Sequence, residues 1–128
     1  INFQKAKVLE IGSGNAVFLD YLIKHGVDAT GVDLDPRGEK TSPQVVASIE
    51  QLPFANESLD VILASNVFDK KIYSYQDHDR MMSEIARSLR HGGVFIGLTE
   101  KIEAQPIHGF NLVHDNSGFD SKNVYRKS

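Results

Sequence analysis

The chain has no cysteine among its 128 residues, which excludes disulfides and thiolate metal sites at once. It has no apolar run near the roughly 20 residues that span a bilayer, so no membrane role is expected. Positive charge is not in excess: 14 Lys and Arg face 17 Asp and Glu, a formal net charge of −3. A nucleic-acid surface needs a basic patch or excess, and the sequence gives no strong signal of one. The five histidines (His25, His78, His91, His108, His114) have no metal-ligand spacing and read as surface or turn residues, so no metal is expected. No secretory leader is visible, and a cytoplasmic location is the expectation. The chain opens on Ile1 rather than Met, which suggests an N-terminal segment removed or left out. With 41% hydrophobic and 24% charged residues, the composition is that of a folded soluble protein, and the length suits one domain over residues 1–128.

The sequence is organised around Val8-Leu9-Glu10-Ile11-Gly12-Ser13-Gly14-Asn15-Ala16-Val17-Phe18-Leu19. Val8, Leu9 and Ile11 make an apolar run too short for a helix, so it reads as a buried strand. Gly12 and Gly14 allow a tight turn and a close approach of ligand to backbone. A helix starts near Asn15, and its free N–H groups and positive dipole end face the same place. That arrangement suits phosphate, carboxylate or ribose oxygens. A dinucleotide fingerprint G-x-G-x-x-G needs glycine at position 17, where this chain has Val17, so the nicotinamide and flavin reading is weak.

Along the chain, strand and helix signals alternate. The spacing predicts a strand over 7–11 and a helix over 15–24 with Phe18, Leu19, Leu22 and Ile23 as its sheet-facing stripe. Gly26 ends that helix and a strand follows over 29–32, giving a right-handed βαβ unit with parallel strands. Asp33 falls 19 residues after Gly14, where nucleotide folds place an acid that accepts hydrogen bonds from ribose hydroxyls. Pro36, Gly38 and Pro43 leave room for one helical turn at most before a short edge strand over 45–47. The run 61–64 is apolar throughout, typical of a strand buried on both faces, and the loop after it lines the ligand crevice. A helix over 77–90 carries Met81, Met82, Ile85, Ala86 and Leu89, ends at Gly92, and precedes a strand over 94–98. Ser74 with Asp77 reads as its capping box. Residues 70–76 read as a loop with partly packed tyrosines or part of a lid, and a squeezed helix is expected over 101–108. Short strands over 110–114 and 123–126 close the chain.

The pattern Glu10-x-Gly12-x-Gly14-x-Ala16 resembles the first motif of class I S-adenosylmethionine-dependent methyltransferases, which usually read Glu/Asp-x-Gly-x-Gly-x-Gly. Leu52-Pro53-Phe54 followed by Asp60-Val61-Ile62 is similar to motifs of a broad small-molecule subfamily, and Arg90-His91-Gly92-Gly93 stands where that family usually has Lys-Pro-Gly-Gly. The resemblance covers about residues 7–98 well and 109–127 more loosely. It implies a doubly wound α/β Rossmann-like sheet of seven strands, the first near the centre, five of them parallel, closed by a C-terminal antiparallel hairpin. It implies S-adenosylmethionine as cofactor, held by Glu10, Gly12, Ser13 and Gly14. It puts Asp33 on the ribose, Leu34 beside the adenine, Ser48 and Ile49 at the adenine amino side, and Ala64, Ser65 and Asn66 at the methionine end. Ser48 replaces the usual acid there, and a neutral hydroxyl accepts a weaker bond. The prolines that amino-group methyltransferases carry after the fourth strand are missing, which disfavours adenine, cytosine or glutamine methylation. His78 and Asp69 are the candidate bases for a hydroxyl or carbon acceptor.

The resemblance implies a methyltransferase acting on an unidentified acceptor. Its acceptor side is expected to be open above Phe68 and Tyr73, fitting a large acceptor, a partner protein or a second copy of the chain. Two alternatives stay open. One is a catalytically inactive methyltransferase-like module that binds or regulates. The other is a nucleotide-dependent oxidoreductase, disfavoured by Val17.

Overall fold

The computed structural model of the chain describes residues 4–65, 67, 75–98, 109–116 and 122–128. The elements run β1 (Lys7–Ile11), α1 (Val17–Lys24), β2 (Asp28–Asp33), β3 (Gln44–Val46), β4 (Leu59–Ser65), α2 (Tyr75–Ser88), β5 (Leu89–Leu98), β6 (Phe110–Asn116) and β7 (Lys122–Lys127). The strands form one seven-stranded sheet in the order β3-β2-β1-β4-β5-β7-β6. The first five in that order are parallel. β7 runs antiparallel to both β5 and β6. This is the α/β doubly wound sheet with a closing antiparallel hairpin that the sequence led us to expect.

Burial explains the order. β1 and β4 lie in the middle, and Val8, Leu9, Ile11, Val61, Ile62, Leu63 and Ala64 are all buried. Successive residues face opposite sides of a strand, so each side has its own core. On one side Val8, Val61, Leu63 and Val94 pack with Ala16 and Leu19 of the turn and α1. On the other, Leu9, Ile11, Ile62 and Phe95 pack with Met81, Met82 and Ile85 of α2. The chain leaves β1 toward β2 on one side and returns as β4 on the other. The crevice between β1 and β4 at their carboxyl ends is therefore the topological switch point, where open α/β sheets bind ligands.

Several boundaries differ from the expected ones, each for a physical reason. α1 begins at Val17 because Ala16 takes a left-handed conformation, φ 64°. Only Leu19 is fully buried and Leu22 partly so; Phe18 and Ile23 are exposed, so the predicted four-residue stripe is half right. α2 ends at Ser88 rather than near Gly92. Its last carbonyls are taken by the chain entering β4: Glu57 N–H donates to Arg87 O and Ser58 N–H to Ser88 O. Those two bonds satisfy orphan groups that a glycine stop usually handles. β5 then starts at Leu89, and its pairing jumps from Leu59–Leu89 to Val61–Val94, with Gly92 at φ 79° in the irregular part. The connection 34–43 contains no helix, as its glycine and prolines indicated. His78 is fully buried on α2, not a surface residue. The loop over 70–74, the expected helix over 101–108, and Ser74, Asp69, Phe68 and Tyr73 lie outside the described residues, so the open acceptor side does too.

Candidate functional site

The glycine turn after β1 is held from β2. The amides of Gly12 and Ser13 both donate to Val32 O, at 2.8 and 3.1 Å. The amide of Gly14 donates to Asp33 Oδ2 at 2.8 Å, and that of Asp35 to Asp33 Oδ1 at 2.8 Å. Gly12 has φ +70°, and a Cβ there would stand 2.7 Å from Val67 Cγ2, in the segment that follows β4. Glycine is therefore required on both conformational and steric grounds. The three amides of the turn itself are thus spent on Val32 and Asp33. Beside the turn lies a space with one acid, Glu10, and one cation, Arg37, on its walls.

That space is a cleft of about 510 Å³ lined by Glu10, Gly12, Ser13, Gly14, Asn15, Val17, Phe18, Arg37 and Leu98. Glu10 lies on the α1 side of β1, in register with Gly31 of β2 and Leu63 of β4, neither of which brings a charge. It is only 6% exposed, and its Oε1 is buried without a hydrogen-bond partner. Burial pushes its carboxyl up from 4.5 to about 7. An acid oxygen left unsatisfied beside a cleft is costly in a finished protein and fits a site that a cationic or donor group completes.

The structure thus brings Glu10, Gly12, Ser13 and Gly14 into one cleft, with Asp33 tied to its rim through Gly14. Each Asp33 oxygen accepts one amide and keeps a second lone pair for a further donor. Leu34 follows, 65% exposed, an apolar side chain without cover. Ser48 Oγ accepts the Glu50 amide at 3.1 Å. Ile49 and Ala64 are buried in the α2-side core and do not line the cleft, and Ser65 ends β4. Asn66 lies outside the described residues. His78, one of two candidate bases, is buried in α2 and not a lining residue.

Sequence reasoning missed Arg37, Phe18 and Leu98. Arg37 reaches the cleft because 34–43 folds back over the glycine turn. Arg37 N–H donates to Gly14 O at 2.8 Å, and Gln44 Nε2 donates to Gly14 O and Ser13 Oγ at 2.9 and 2.8 Å. Gln44 Oε1 in turn accepts the Gly38 amide at 2.9 Å.

The Leu52-Pro53-Phe54 motif has a structural job. Arg87 donates to Leu52 O and Phe54 O at 2.9 and 2.8 Å and to Glu84, while Glu84 Oε2 accepts the Leu52 amide at 2.7 Å. The Arg87 guanidinium holds the Glu84 carboxyl below its usual range.

A parallel sheet with its switch point at a glycine turn, and an acid on the following strand tied to that turn, define a Rossmann-like nucleoside-binding domain. The chain belongs to the methyltransferase-domain family, whose pattern matches residues 9–97, and is a class I S-adenosylmethionine-dependent methyltransferase domain. A phthiotriol/phenolphthiotriol dimycocerosates methyltransferase of Mycobacterium leprae is 32% identical, over 73% of this chain and 37% of its own length. An uncharacterized methyltransferase of Mycobacterium sp. strain JLS is 31% identical over 94% of this chain and 49% of its own. The chain thus spans less than half the length of these curated relatives. The fold matches a TehB-like SAM-dependent methyltransferase from Corynebacterium glutamicum with a TM-score of 0.75 at 20% identity, covering 96% of this chain and 80% of that one. It matches a second such enzyme, from Mesorhizobium loti, with a TM-score of 0.74 at 15% identity, over 99% and 93%. Among the described residues no helix is long and apolar enough to cross a membrane.

Proposed function

We propose that residues 1–128 act as one domain that binds S-adenosylmethionine at the switch point and delivers its methyl group to an acceptor entering beside the cleft. The observation that carries this reading is Glu10, a buried acid with an unpartnered oxygen at the glycine turn. The fit is one of charge: the donor is a cation at its sulfonium and again at its ammonium, and the cleft offers a carboxyl. When bound, S-adenosylmethionine supplies a methyl group already activated by the positive sulfur. The chain's own contribution is placement, which alone supplies much of the acceleration in such a transfer. In this reading Asp33 accepts from the ribose hydroxyls through its free lone pairs, and Leu34 lies against the adenine. Ser48 and Ile49 border the adenine edge. Ala64, Ser65 and Asn66 hold the methionine end by backbone, and Gly12, Ser13 and Gly14 let the ligand lie close to the main chain.

Calorimetric titration tests the reading. S-adenosylmethionine and S-adenosylhomocysteine should bind, and NAD and NADP should not. No binding of either adenosyl ligand at millimolar concentration sinks it. The helix-free connection 34–43 and Ser48 in place of an acid favour a second reading, a module that binds the donor without turnover. Single-turnover methyl release in the presence of candidate acceptors separates the two.

A further inference from the structure

Gln44 opens the edge strand β3 and is not a lining residue of the cleft, yet its side chain reaches the turn that forms the cleft wall. Both hydrogens and the oxygen of its amide are used there. Nε2 donates to Ser13 Oγ and Gly14 O at 2.8 and 2.9 Å, and Oε1 accepts the Gly38 amide at 2.9 Å. The partners fix the orientation, since a carbonyl only accepts and a backbone amide only donates. The packing is close: a Cβ on Gly38 would collide with Gln44 Oε1 and stand 2.7 Å from Ala16 Cβ. With no helix between β2 and β3, the amides of Arg37 and Gly38 have no helical acceptors and take Gly14 O and Gln44 Oε1 instead. Gly14 is thereby gripped at both ends. Its N–H donates to Asp33, and its carbonyl accepts from Arg37 N–H and Gln44 Nε2. Ser13 Oγ accepts from Gln44 and donates its own hydrogen to Val32 O at 3.4 Å. A turn built on two glycines has wide backbone freedom, and ordering it during binding costs affinity unless the fold has ordered it beforehand.

We propose that Gln44 is a positioning residue. Its side-chain amide holds the Ser13–Gly14 turn, and through Gly14 the Asp33 carboxylate, in the geometry that receives the adenosyl ligand. The proposal rests on the methyltransferase reading. It gives the edge strand and the helix-free connection a part in the site: residues 34–43 form a strap that ties the cleft wall to β3. Coupling of this kind is reciprocal, so a ligand on the turn also tightens the strap.

Calorimetric titration with S-adenosylhomocysteine and residue-resolved amide exchange on the whole chain test it. At neutral pH Gln44→Glu keeps the size and the acceptor for Gly38 but has no hydrogen to donate, and Gln44→Leu keeps neither. Each should weaken S-adenosylhomocysteine about tenfold, the loss of one or two neutral hydrogen bonds. Each should speed exchange of the Gly14 amide in the free protein beyond any change at Leu9 and Ile62 of the central strands. In the parent, the ligand should slow exchange at Gly38, which does not line the cleft, and in Gln44→Leu it should not. Ser42→Ala is the control. It removes the 2.7 Å bond from the same strap to Asp20 of α1 without touching the turn, and its affinity should equal the parent's. Parental affinity in either Gln44 variant, an equal loss in Ser42→Ala, or no protection of Gly38 by ligand in the parent overturns the proposal while the methyltransferase reading stands. A parent that binds no S-adenosylhomocysteine overturns both.

Discussion

Glu10 occupies a strand position whose neighbours Val8, Leu9 and Ile11 are all buried, and it has to be protonated or paired to lie there comfortably. That makes it a stability cost with a definite pH window. Its carboxyl moves from 4.5 to about 7 on folding, so the folded chain binds the proton more tightly. Below the lower value both states are protonated and nothing is lost; as pH rises through the upper value the folded state loses on the order of 3 kcal/mol relative to an uncharged residue. Glu10→Gln should therefore add stability above pH 7 and little below pH 4.5, read by urea unfolding at both ends. A pH-independent difference between parent and variant would show that the acid is already paired. Asp33 behaves differently, because its carboxylate holds the Gly14 and Asp35 amides. Asp33→Ala should weaken S-adenosylmethionine by ~1.5–3 kcal/mol, ten- to a hundred-fold, and lower the melting temperature as well. Ser48→Asp should move affinity the other way while keeping the Glu50 turn, since a carboxylate also accepts that amide. Titration of the three proteins side by side checks the pair. Gly12, Gly14, Glu10 and Asp33 were legible in the sequence because identity and spacing alone define them. Arg37 was not, because no periodicity or motif marks a side chain that arrives by a fold-back. Ala16 shows what a motif departure costs: the family's usual glycine position is left-handed here, with a buried methyl that partly offsets the strain.

At the level of elements, the helices and strands among the described residues were read correctly in kind and order, and the errors gather where tertiary contacts set the ends. The α2 stripe of Met81, Met82 and Ile85 was visible as period, and all three are buried. Its end at Ser88 was not, because the amides that stop it belong to Glu57 and Ser58, about thirty residues away. The eight-residue α1 is too short for periodicity to say which residues meet the sheet, and Val17 and Tyr21 stay 71% and 56% exposed. Arg87 couples α2 to the Leu52–Phe54 turn, through bonds to Leu52 O, Phe54 O, Asn56 Oδ1 and Glu84. Arg87→Ala leaves two carbonyls without this donor and the Glu84 carboxylate with the Leu52 amide alone. We expect a loss of about 2 kcal/mol, bonds to charged groups in a part-buried setting being near that figure, and a fall in Tm of roughly 5–10 °C. The parent should share part of that loss at low pH. Glu84 titrates below its ordinary value in the fold, so its stabilising share is present above pH 4.5 and disappears as pH falls through the lowered folded value. Thermal melts of parent and variant that differ as much at pH 3 as at pH 7 would contradict the assignment to this ion pair.

Across the whole molecule, the family pattern stops at residue 97, yet the sheet does not. β7 pairs with β5 from Val94–Arg126 to Leu98–Lys122, and β6 pairs with β7 outside it. Tyr125 is 5% exposed, its ring stacked on Phe95 with centroids 6.0 Å apart and met edge-on by Phe110 at 6.3 Å. Lys127 Nζ donates to Leu89 O at 2.6 Å, tying the last strand to the start of β5. A chain ended at Leu98 would uncover Phe95 and turn β5 into an open edge, with a row of unpaired N–H and C=O groups beside a bare apolar face. Such an edge is a template for aggregation. We expect that truncated chain to lose cooperative melting and to bind a hydrophobic dye, although it retains the whole matched family region. Tyr125→Ala in the full chain isolates the packing share. Aromatic truncation in a core costs roughly 3–5 kcal/mol, so the variant should still fold, with a lowered urea midpoint. The two results rank the contributions: a midpoint near the parent's for Tyr125→Ala, with an unfolded truncated chain, assigns the hairpin's role to strand pairing. A truncated chain that melts cooperatively at the parent's temperature would show that the five parallel strands stand alone and that the hairpin is an addition to a finished fold.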